Sequence, residues 1–165
     1  MADSYELLLD VDLGPGLTSD ELAELRWHLG QTPLPERLVL GTDAFRAAYP
    51  LGDPSDPDCE WDIADPDPLF AGRGAAHSIG GELSAGLVAR EPAGWTLTAR
   101  QELHPDLFDP LRAFLGWLGP RAIGADEAVG SLRWYEDTAA EPLVINGGVI
   151  TIPPSIAEHT EDQEG

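Results

Sequence analysis

The chain has no lysine, a single cysteine and no long hydrophobic run, and each absence excludes a class of protein. Cys59 is alone, so no disulfide bond can form within the chain. No apolar stretch approaches the roughly 18 residues that a membrane-spanning helix needs. The first residues, Met-Ala-Asp-Ser-Tyr-Glu, lack the basic and apolar regions of a signal peptide. We therefore expect a cytoplasmic protein that has no attachment to a membrane.

Positive charge is also scarce. Nine Arg residues face 30 acidic residues, and the formal net charge is −21. Residues 1–25, 47–72 and 134–165 contain no basic residue, and each of these stretches holds seven acids. Such a surface repels nucleic-acid phosphates and anionic lipid head groups, so we expect neither to be a partner. It attracts basic protein surfaces, although the same charge can serve only to keep a protein soluble and monomeric.

The length of 165 residues and the hydrophobic content of 42% are typical of one globular domain with a core of its own. We predict a single α+β domain over residues 1–156, with an irregular acidic insert at about 50–81. The acidic end of the chain, residues 157–165, is predicted to be disordered.

The clearest local signals stand at the start of the chain. Residues 5–13 are predicted to form a strand, because from Leu7 the apolar positions 7, 9, 11 and 13 alternate with Leu8, Asp10 and Asp12. Thr18 and Glu21 have the spacing of a capping box, which predicts a helix that runs to about Leu29.

The signals are weaker between residues 31 and 81. Residues 37–40 favour a short strand, and residues 43–49 favour a two-turn helix capped by Thr42. Residues 50–68 hold five Pro and seven acids without a base, a composition that opposes a packed core. We predict an exposed loop there, pinned by Trp61 and by Leu69-Phe70, followed by a small-residue connection over 72–81.

The second half of the chain carries a regular pattern of strands, turns and one more helix. The predicted strands are 82–90, 95–102, 128–135, 142–145 and 149–152, with a hairpin turn at Asn146-Gly147. A single turn at 105–108 should precede a helix over 110–118 that Asp109 caps, because Pro110 suits a first helical position. These elements predict a two-layer α+β sandwich, ferredoxin-like or related, with two helices on one face of a mainly antiparallel sheet.

One motif in the insert resembles part of a calcium site. Asp56-x-Asp58-x-Glu60 is similar to the opening of an EF-hand loop. Trp61 stands where that loop needs Gly, and Asp67 stands where it has a bidentate Glu. We therefore predict no metal site and no cofactor.

No catalytic group is recognisable in the sequence. The four His residues are widely spaced, and His28 lies near a helix end, where the helix dipole favours a partly charged imidazole. Cys59 lies between Asp58 and Glu60, whose charges disfavour a thiolate. Ser78 adjoins His77 in sequence, but adjacency does not make a catalytic pair.

The candidate interaction surface combines the insert with the sheet. In strands 95–102 and 128–135, Trp95 is expected to point away from Arg100, and Trp134 away from Arg133 and Tyr135. One face of the sheet is then the core, and the other can present Arg and aromatic side chains together. Arg and aromatic residues are enriched at protein interfaces, whereas Arg stems also cover aromatic rings on ordinary solvated sheets. The residues of this predicted surface are Asp56, Asp58, Glu60, Asp62, Arg100 and Arg133.

We therefore expect a non-enzymatic protein-binding domain, of the immunity, inhibitor or adaptor type, that engages a basic or mixed partner. The alternative is a small-molecule-binding protein or enzyme with a pocket near residues 69–81, where Arg73 and His77 lie. We expect a monomer or a weak homodimer, since a hairpin over residues 142–152 can form a sheet edge that pairs with another copy.

Overall fold

The computed structural model describes residues 4–40, 48–63, 66–124 and 128–153. In these ranges the protein is a mixed α+β structure. The helices are α1 (Ser19–His28) and α2 (Phe108–Leu118), with single 3-10 turns at Pro105–Leu107 and Gly119–Arg121. The strands are β1 (Tyr5–Leu13), β2 (Ala48–Pro50), β3 (Trp61–Ile63), β4 (Gly74–Ala75), β5 (Glu82–Ala89), β6 (Trp95–Leu103), β7 (Ala128–Trp134), β8 (Glu141–Asn146) and β9 (Val149–Thr151).

Seven of these strands form one antiparallel sheet in the order β4-β5-β6-β1-β7-β8-β9, whereas β2 and β3 form a separate two-stranded sheet. Because β1 and β5 are each antiparallel to β6, they run parallel to each other with β6 between them. In the same way β6 and β7 run parallel with β1 between them. Helix α1 lies in the first of these two connections and α2 in the second.

The core lies against one face of the large sheet. In β1 the odd-numbered side chains are buried, with Leu7, Leu9 and Val11 at most 3% exposed, so the predicted alternation is confirmed. Apolar side chains of both helices join the same cluster, among them Leu25, Leu29, Leu111, Phe114, Leu115 and Leu118. The even-numbered β1 residues point to the opposite face, where Leu8 and Asp10 are exposed. No helix of the described ranges is long and apolar enough to cross a membrane.

Helix α1 begins as predicted, since Thr18 Oγ1 accepts the Glu21 N–H and the Glu21 carboxylate accepts the Thr18 N–H. The predicted start of α2 is wrong by two residues. The helix begins at Phe108, and its N-cap Leu107 makes no side-chain capping bond, so Asp109 is not the cap. Pro110 is the third residue of the helix, where its missing N–H would have no partner in any case.

The turn between β8 and β9 also differs from the prediction by one residue. Asn146 is still paired with Val149, so it belongs to the ladder and not to the turn. Gly147 and Gly148, with φ of 61° and 78°, make the reversal instead. Both turn positions need positive φ, and glycine adopts this conformation more readily than asparagine does.

Three predictions for residues 31–81 are wrong where the structure describes them. Residues 37–40 form no strand, because the N–H groups of Val39 and Leu40 donate to the Glu24 side chain and not to a neighbouring strand. Ala48 and Tyr49, predicted to be helical, lie in β2. Residues 43–47 of that predicted helix lie outside the described ranges, as does the predicted disordered tail over 157–165.

Candidate functional site

The acidic insert contains a β-hairpin. The prediction of an exposed loop for this segment is the third one that is wrong. Strands β2 and β3 pair antiparallel in the register Ala48–Ile63, Tyr49–Asp62 and Pro50–Trp61. The ladder continues one step further, because the Leu51 N–H donates to the Glu60 carbonyl oxygen over 2.8 Å. We call residues 48–63 the acidic hairpin.

The tip of the acidic hairpin is folded by its own carboxylates. Asp53 Oδ1 accepts hydrogen bonds from the Ser55 N–H at 2.9 Å and from the Ser55 hydroxyl at 2.7 Å. These bonds lower the pKa of the Asp53 carboxyl. Asp56 Oδ1 accepts the Asp58 N–H at 2.9 Å in a second turn of the same kind. An Asn side chain has the same acceptor oxygen, so both turns can form without the charge.

Large apolar side chains lie in solvent on both faces of the acidic hairpin. Directly paired residues of an antiparallel ladder project to the same side, so Trp61 and Ile63 share one face with Ala48 and Pro50. Trp61 is 55% exposed and Ile63 is 58% exposed. Four of the ten exposed large hydrophobic residues in the described ranges lie in this short hairpin, namely Tyr49, Leu51, Trp61 and Ile63. Grouped exposed apolar residues of this kind mark interaction surfaces more often than scattered ones do.

The carboxylates of the acidic hairpin are exposed to solvent. No ion pair with an Arg side chain is found for any of them within the described ranges. Residues 47–72 also contain no basic residue. These exposed carboxylates belong to Asp53, Asp56, Asp58, Glu60 and Asp62. The last four are the insert residues of the predicted interaction surface, and Asp53 is one further acid.

The edges of the acidic hairpin are short, and one outward-facing residue on each edge has no free backbone N–H for a further strand. Since Leu51 and Glu60 are hydrogen-bonded to each other, the alternation of the ladder directs the backbone groups of Pro50 and Ile63 away from the partner strand. Pro50 has no N–H to offer. The Ile63 N–H is already donated to Asp62 Oδ1 over 2.8 Å. The apolar side chains are therefore better contact points than the edges.

The chain returns from the acidic hairpin to the core at Leu69 and Phe70. Phe70 is fully buried, and its ring centroid lies 5.0 Å from that of Phe114 in an edge-to-face arrangement. The Phe70 N–H donates to the His28 carbonyl oxygen over 2.8 Å. The expected anchoring by Leu69-Phe70 is thus seen, whereas the exposed Trp61 does not pin the insert.

Two buried titratable residues of α1 hold the segments on either side of the hairpin. Glu24 accepts the N–H groups of Val39 and Leu40, and His28 Nδ1 accepts the Leu69 N–H over 3.2 Å. Burial raises the pKa of the Glu24 carboxyl, an effect that the two N–H donors oppose. Burial lowers the pKa of His28 to about 3. His28 is therefore a neutral acceptor near neutral pH, and the predicted partly charged imidazole is wrong.

Residues 69–81, the alternative pocket region, are packed onto the sheet. The Arg73 guanidinium donates to the carbonyl oxygens of Phe70 at 2.8 Å and Gly72 at 2.7 Å. The buried Gln101 amide accepts from the Gly72 N–H at 3.0 Å and donates to the Gly72 carbonyl at 3.1 Å. A Cβ atom at Gly72 would lie 2.7 Å from Gln101 Oε1, so the Gly72 backbone packs closely against the Gln101 amide. His77 is exposed, and its backbone N–H donates to the Glu102 carboxylate.

Arg100 and Arg133 are brought together, but around a residue that the sequence did not single out. Both lie on the open face of the large sheet and pair with Glu6, at 2.6 Å from Arg100 and 3.3 Å from Arg133. The aromatic rings of Trp95 and Trp134 pack against the core on the other face. Trp95 and Trp134 therefore lie on the face opposite to Arg100 and Arg133, as predicted, and the insert acids lie in the separate acidic hairpin.

A depression of about 240 Å³ is lined by residues outside the hairpin, namely Gly14, Gly16, Leu17, Pro120 and Arg121. The described residues include no group of three or more His, Cys, Asp or Glu side chains arranged to hold a metal ion. No protein-family model, curated protein sequence or solved structure matches the chain. Within the described ranges, the acidic hairpin combines exposed apolar side chains with carboxylates that no Arg side chain pairs.

Proposed function

We propose that this chain is a small, acidic, non-enzymatic protein-binding domain of the immunity, inhibitor or adaptor type. Its partner has a basic or mixed surface, and the acidic hairpin is the centre of contact. The observation that carries the proposal is the grouping of four exposed hydrophobic side chains with five carboxylates that no Arg in the described ranges neutralises. Water-exposed apolar side chains beside charge of a single sign provide both contact area and selectivity.

The charge determines which partners can approach. Unscreened carboxylates attract a cationic surface over about 8–10 Å at physiological salt, and the attraction accelerates association. The same charge repels a second copy of the chain, which favours a monomer. Arg100 and Arg133 contribute less than the hairpin, because Glu6 already pairs with both guanidinium groups.

Two further features belong to this proposal. The order β5-β6-β1-β7, with α1 and α2 in the two crossovers, supports a ferredoxin-like unit as the scaffold that carries the hairpin. A cytoplasmic location fits a chain whose single cysteine cannot form an internal disulfide bond.

The proposal is tested by neutralising the hairpin without unfolding it. One variant carries Asp53→Asn, Asp56→Asn, Asp58→Asn, Glu60→Gln and Asp62→Asn. The matched control carries amides at five exposed acids elsewhere, Asp10, Glu36, Glu82, Glu91 and Glu136. Both variants lose five negative charges, so they differ only in where the charge is removed.

Affinity capture from the source cell at low salt is then quantified for all three proteins. We expect the proteins captured by the wild type to fall at least about tenfold with the hairpin variant, equivalent to roughly 1.4 kcal/mol of binding free energy. The control variant should retain most of them. Equal capture by the hairpin variant and the wild type would show that the hairpin charge plays no part in recognition.

A further inference from the structure

The large sheet has two edges, and they differ in how far other parts of the chain cover them. At one end, β9 lies against the 3-10 turn Gly119–Arg121, whose first residue packs so closely against the backbone of Gly148 and Ile150 that a Cβ atom there would not fit. At the other end, β4 pairs with β5 only at its first two residues. In the described ranges no strand covers the rest of β5 on its outer side.

We infer that this uncovered edge, residues 86–90, pairs with the same edge of a second copy of the chain. The two strands run antiparallel about a two-fold axis at Val88, and the two large sheets become one continuous sheet. The contact lies in a different sheet from the acidic hairpin, so the inference goes beyond the proposed function and does not rest on it.

The contacts on the outer side of β5 come from odd-numbered residues. Just before the strand, the Gly81 carbonyl oxygen accepts the Ala76 N–H over 3.0 Å. Within it, the Ala85 carbonyl oxygen accepts a bond of 3.5 Å from the Arg73 guanidinium. The backbone groups of an edge strand alternate between the partner strand and the outside. The next odd-numbered residues therefore point their backbone groups outward as well.

The contacts on the inner side agree with this alternation. The Arg90 N–H donates to the Gly94 carbonyl oxygen over 3.0 Å where β5 turns into β6, so the even-numbered residues of β5 are the ones bonded to β6. Leu87 and Ala89 keep two N–H and two C=O groups that no described residue bonds. Unpaired edge groups of this kind are a template for another strand.

The uncovered edge is complementary to itself. When Val88 stands opposite Val88 of the second copy, Leu87 of each copy pairs with Ala89 of the other, and both pairs exchange two hydrogen bonds. All outward N–H groups of Leu87 and Ala89 in the two copies are then used. The Val88 side chain is 66% exposed and lies on the open face of the sheet, where the two-fold axis places it against its counterpart.

Charge determines how strong this contact is. Residues 83–90 contain no acid, and Arg90 stands opposite Gly86 of the other copy, so no like charges meet at the contact itself. Two chains of net charge −21 still repel each other over longer distances. Salt screens that repulsion and leaves the backbone bonds in place. We therefore expect a weak dimer that salt strengthens, whereas salt weakens the binding of a cationic partner.

An introduced cysteine tests the register. The two Val88 residues form a non-hydrogen-bonded pair, whose Cα atoms lie about 4.5 Å apart, within the range of a disulfide bond. Cys59→Ser with Val88→Cys should form a disulfide-linked dimer under mild oxidation in about 1 M NaCl, as a non-reducing gel shows. The control, Cys59→Ser with Val149→Cys, places the thiol at a residue that is 67% exposed on β9. It should form at least about tenfold less dimer.

Sedimentation equilibrium measures the same contact without a disulfide bond. The average mass of the wild type should rise from one chain toward two as its concentration increases. The association constant should be at least about tenfold greater in about 1 M NaCl than in about 0.1 M NaCl, because the screening length falls from about 10 Å to about 3 Å.

Two variants assign the association to the edge through different atoms. Ala89→Pro removes an outward N–H but no bond to β6, and Val88→Lys places like charges opposite each other. Each should weaken association at least about tenfold. Val149→Lys changes the net charge by the same amount as Val88→Lys and should associate like the wild type. Circular dichroism confirms that each variant is folded, and either edge variant alone is sufficient for the comparison.

The outcomes are independent of partner capture by the acidic hairpin. A single-chain mass at every concentration and salt would overturn the inference, and so would equal crosslinking of the two cysteine variants. Association that survives in a folded Val88→Lys or Ala89→Pro variant would place the contact on another surface and overturn it too. In each case the proposed function is still decided by the capture experiment.

Discussion

Replacing Phe70 with alanine is expected to lower the free energy of unfolding by about 3–5 kcal/mol, the range for a fully buried phenylalanine. Phe70 has no exposed surface, and its ring packs against Phe114 of α2. The truncation removes this contact and leaves a cavity at the point where the chain rejoins the core after the acidic hairpin. Urea denaturation followed by circular dichroism gives the free energy directly.

Trp61→Ala is the matched comparison, because it removes a larger aromatic ring from the same segment. Trp61 is 55% exposed, so we expect its replacement to change the free energy of unfolding by no more than about 0.5 kcal/mol. A loss of several kcal/mol at Trp61 would mean that the hairpin packs against the body of the protein. A negligible loss at Phe70 would mean that this residue is not the anchor.

The second large effect is a dependence of stability on pH that His28 produces. Its folded-state pKa is about 3, against 6.5 for an unperturbed histidine. Below pH 6.5 the unfolded chain binds a proton at this residue, whereas the folded chain does not until the pH approaches 3. The contribution of His28 to the free energy of unfolding therefore falls as the pH is lowered. The loss is about 3 kcal/mol between pH 6.5 and pH 4, since each pH unit corresponds to about 1.36 kcal/mol.

The variant His28→Asn isolates this contribution. Its amide oxygen can replace Nδ1 as the acceptor for the Leu69 N–H but cannot be protonated. The variant should be less stable than the wild type at pH 7, and the difference should shrink as the pH falls toward 4. The raised pKa of Glu24 acts in the opposite direction, since the folded protein gains a proton there first. Glu24 Oε2 lies 4.0 Å from His28 Nε2, so the two effects are separated by repeating the comparison with Glu24→Gln in both proteins. Parallel stability curves from pH 7 to pH 4 would show that His28 is not held neutral.

Much of the large sheet and both helices could be predicted because their signals are local. The alternation in β1 and the capping box at Thr18 specify a strand and a helix start within a few residues. The segment 37–40 also looks like a strand locally. It is not one, because its N–H groups are taken by Glu24, fifteen and sixteen residues earlier in the chain. Only the fold brings those partners together.

The acidic and exposed character of the candidate site could also be predicted, because it too depends on a local signal. Its composition identified the insert as acidic and exposed, since like charges with little apolar content oppose a packed core. The pairing of Ala48–Pro50 with Trp61–Ile63 was not predictable, because three-residue strands separated by a ten-residue loop have almost no periodicity to detect. Glu6 was missed as the partner of Arg100 and Arg133, since its role depends on the register of three strands.

The central claim is that the acidic hairpin is the surface that binds a cationic segment. An amide-resolved NMR titration of the full chain with a synthetic cationic peptide of Lys and Leu residues tests it most directly. We predict that the chemical shift changes concentrate in residues 48–63, saturate together, and leave the amides of Arg100 and Arg133 close to their free positions. Shift changes spread evenly over the acidic surface, or centred on the open face of the large sheet, would contradict the account.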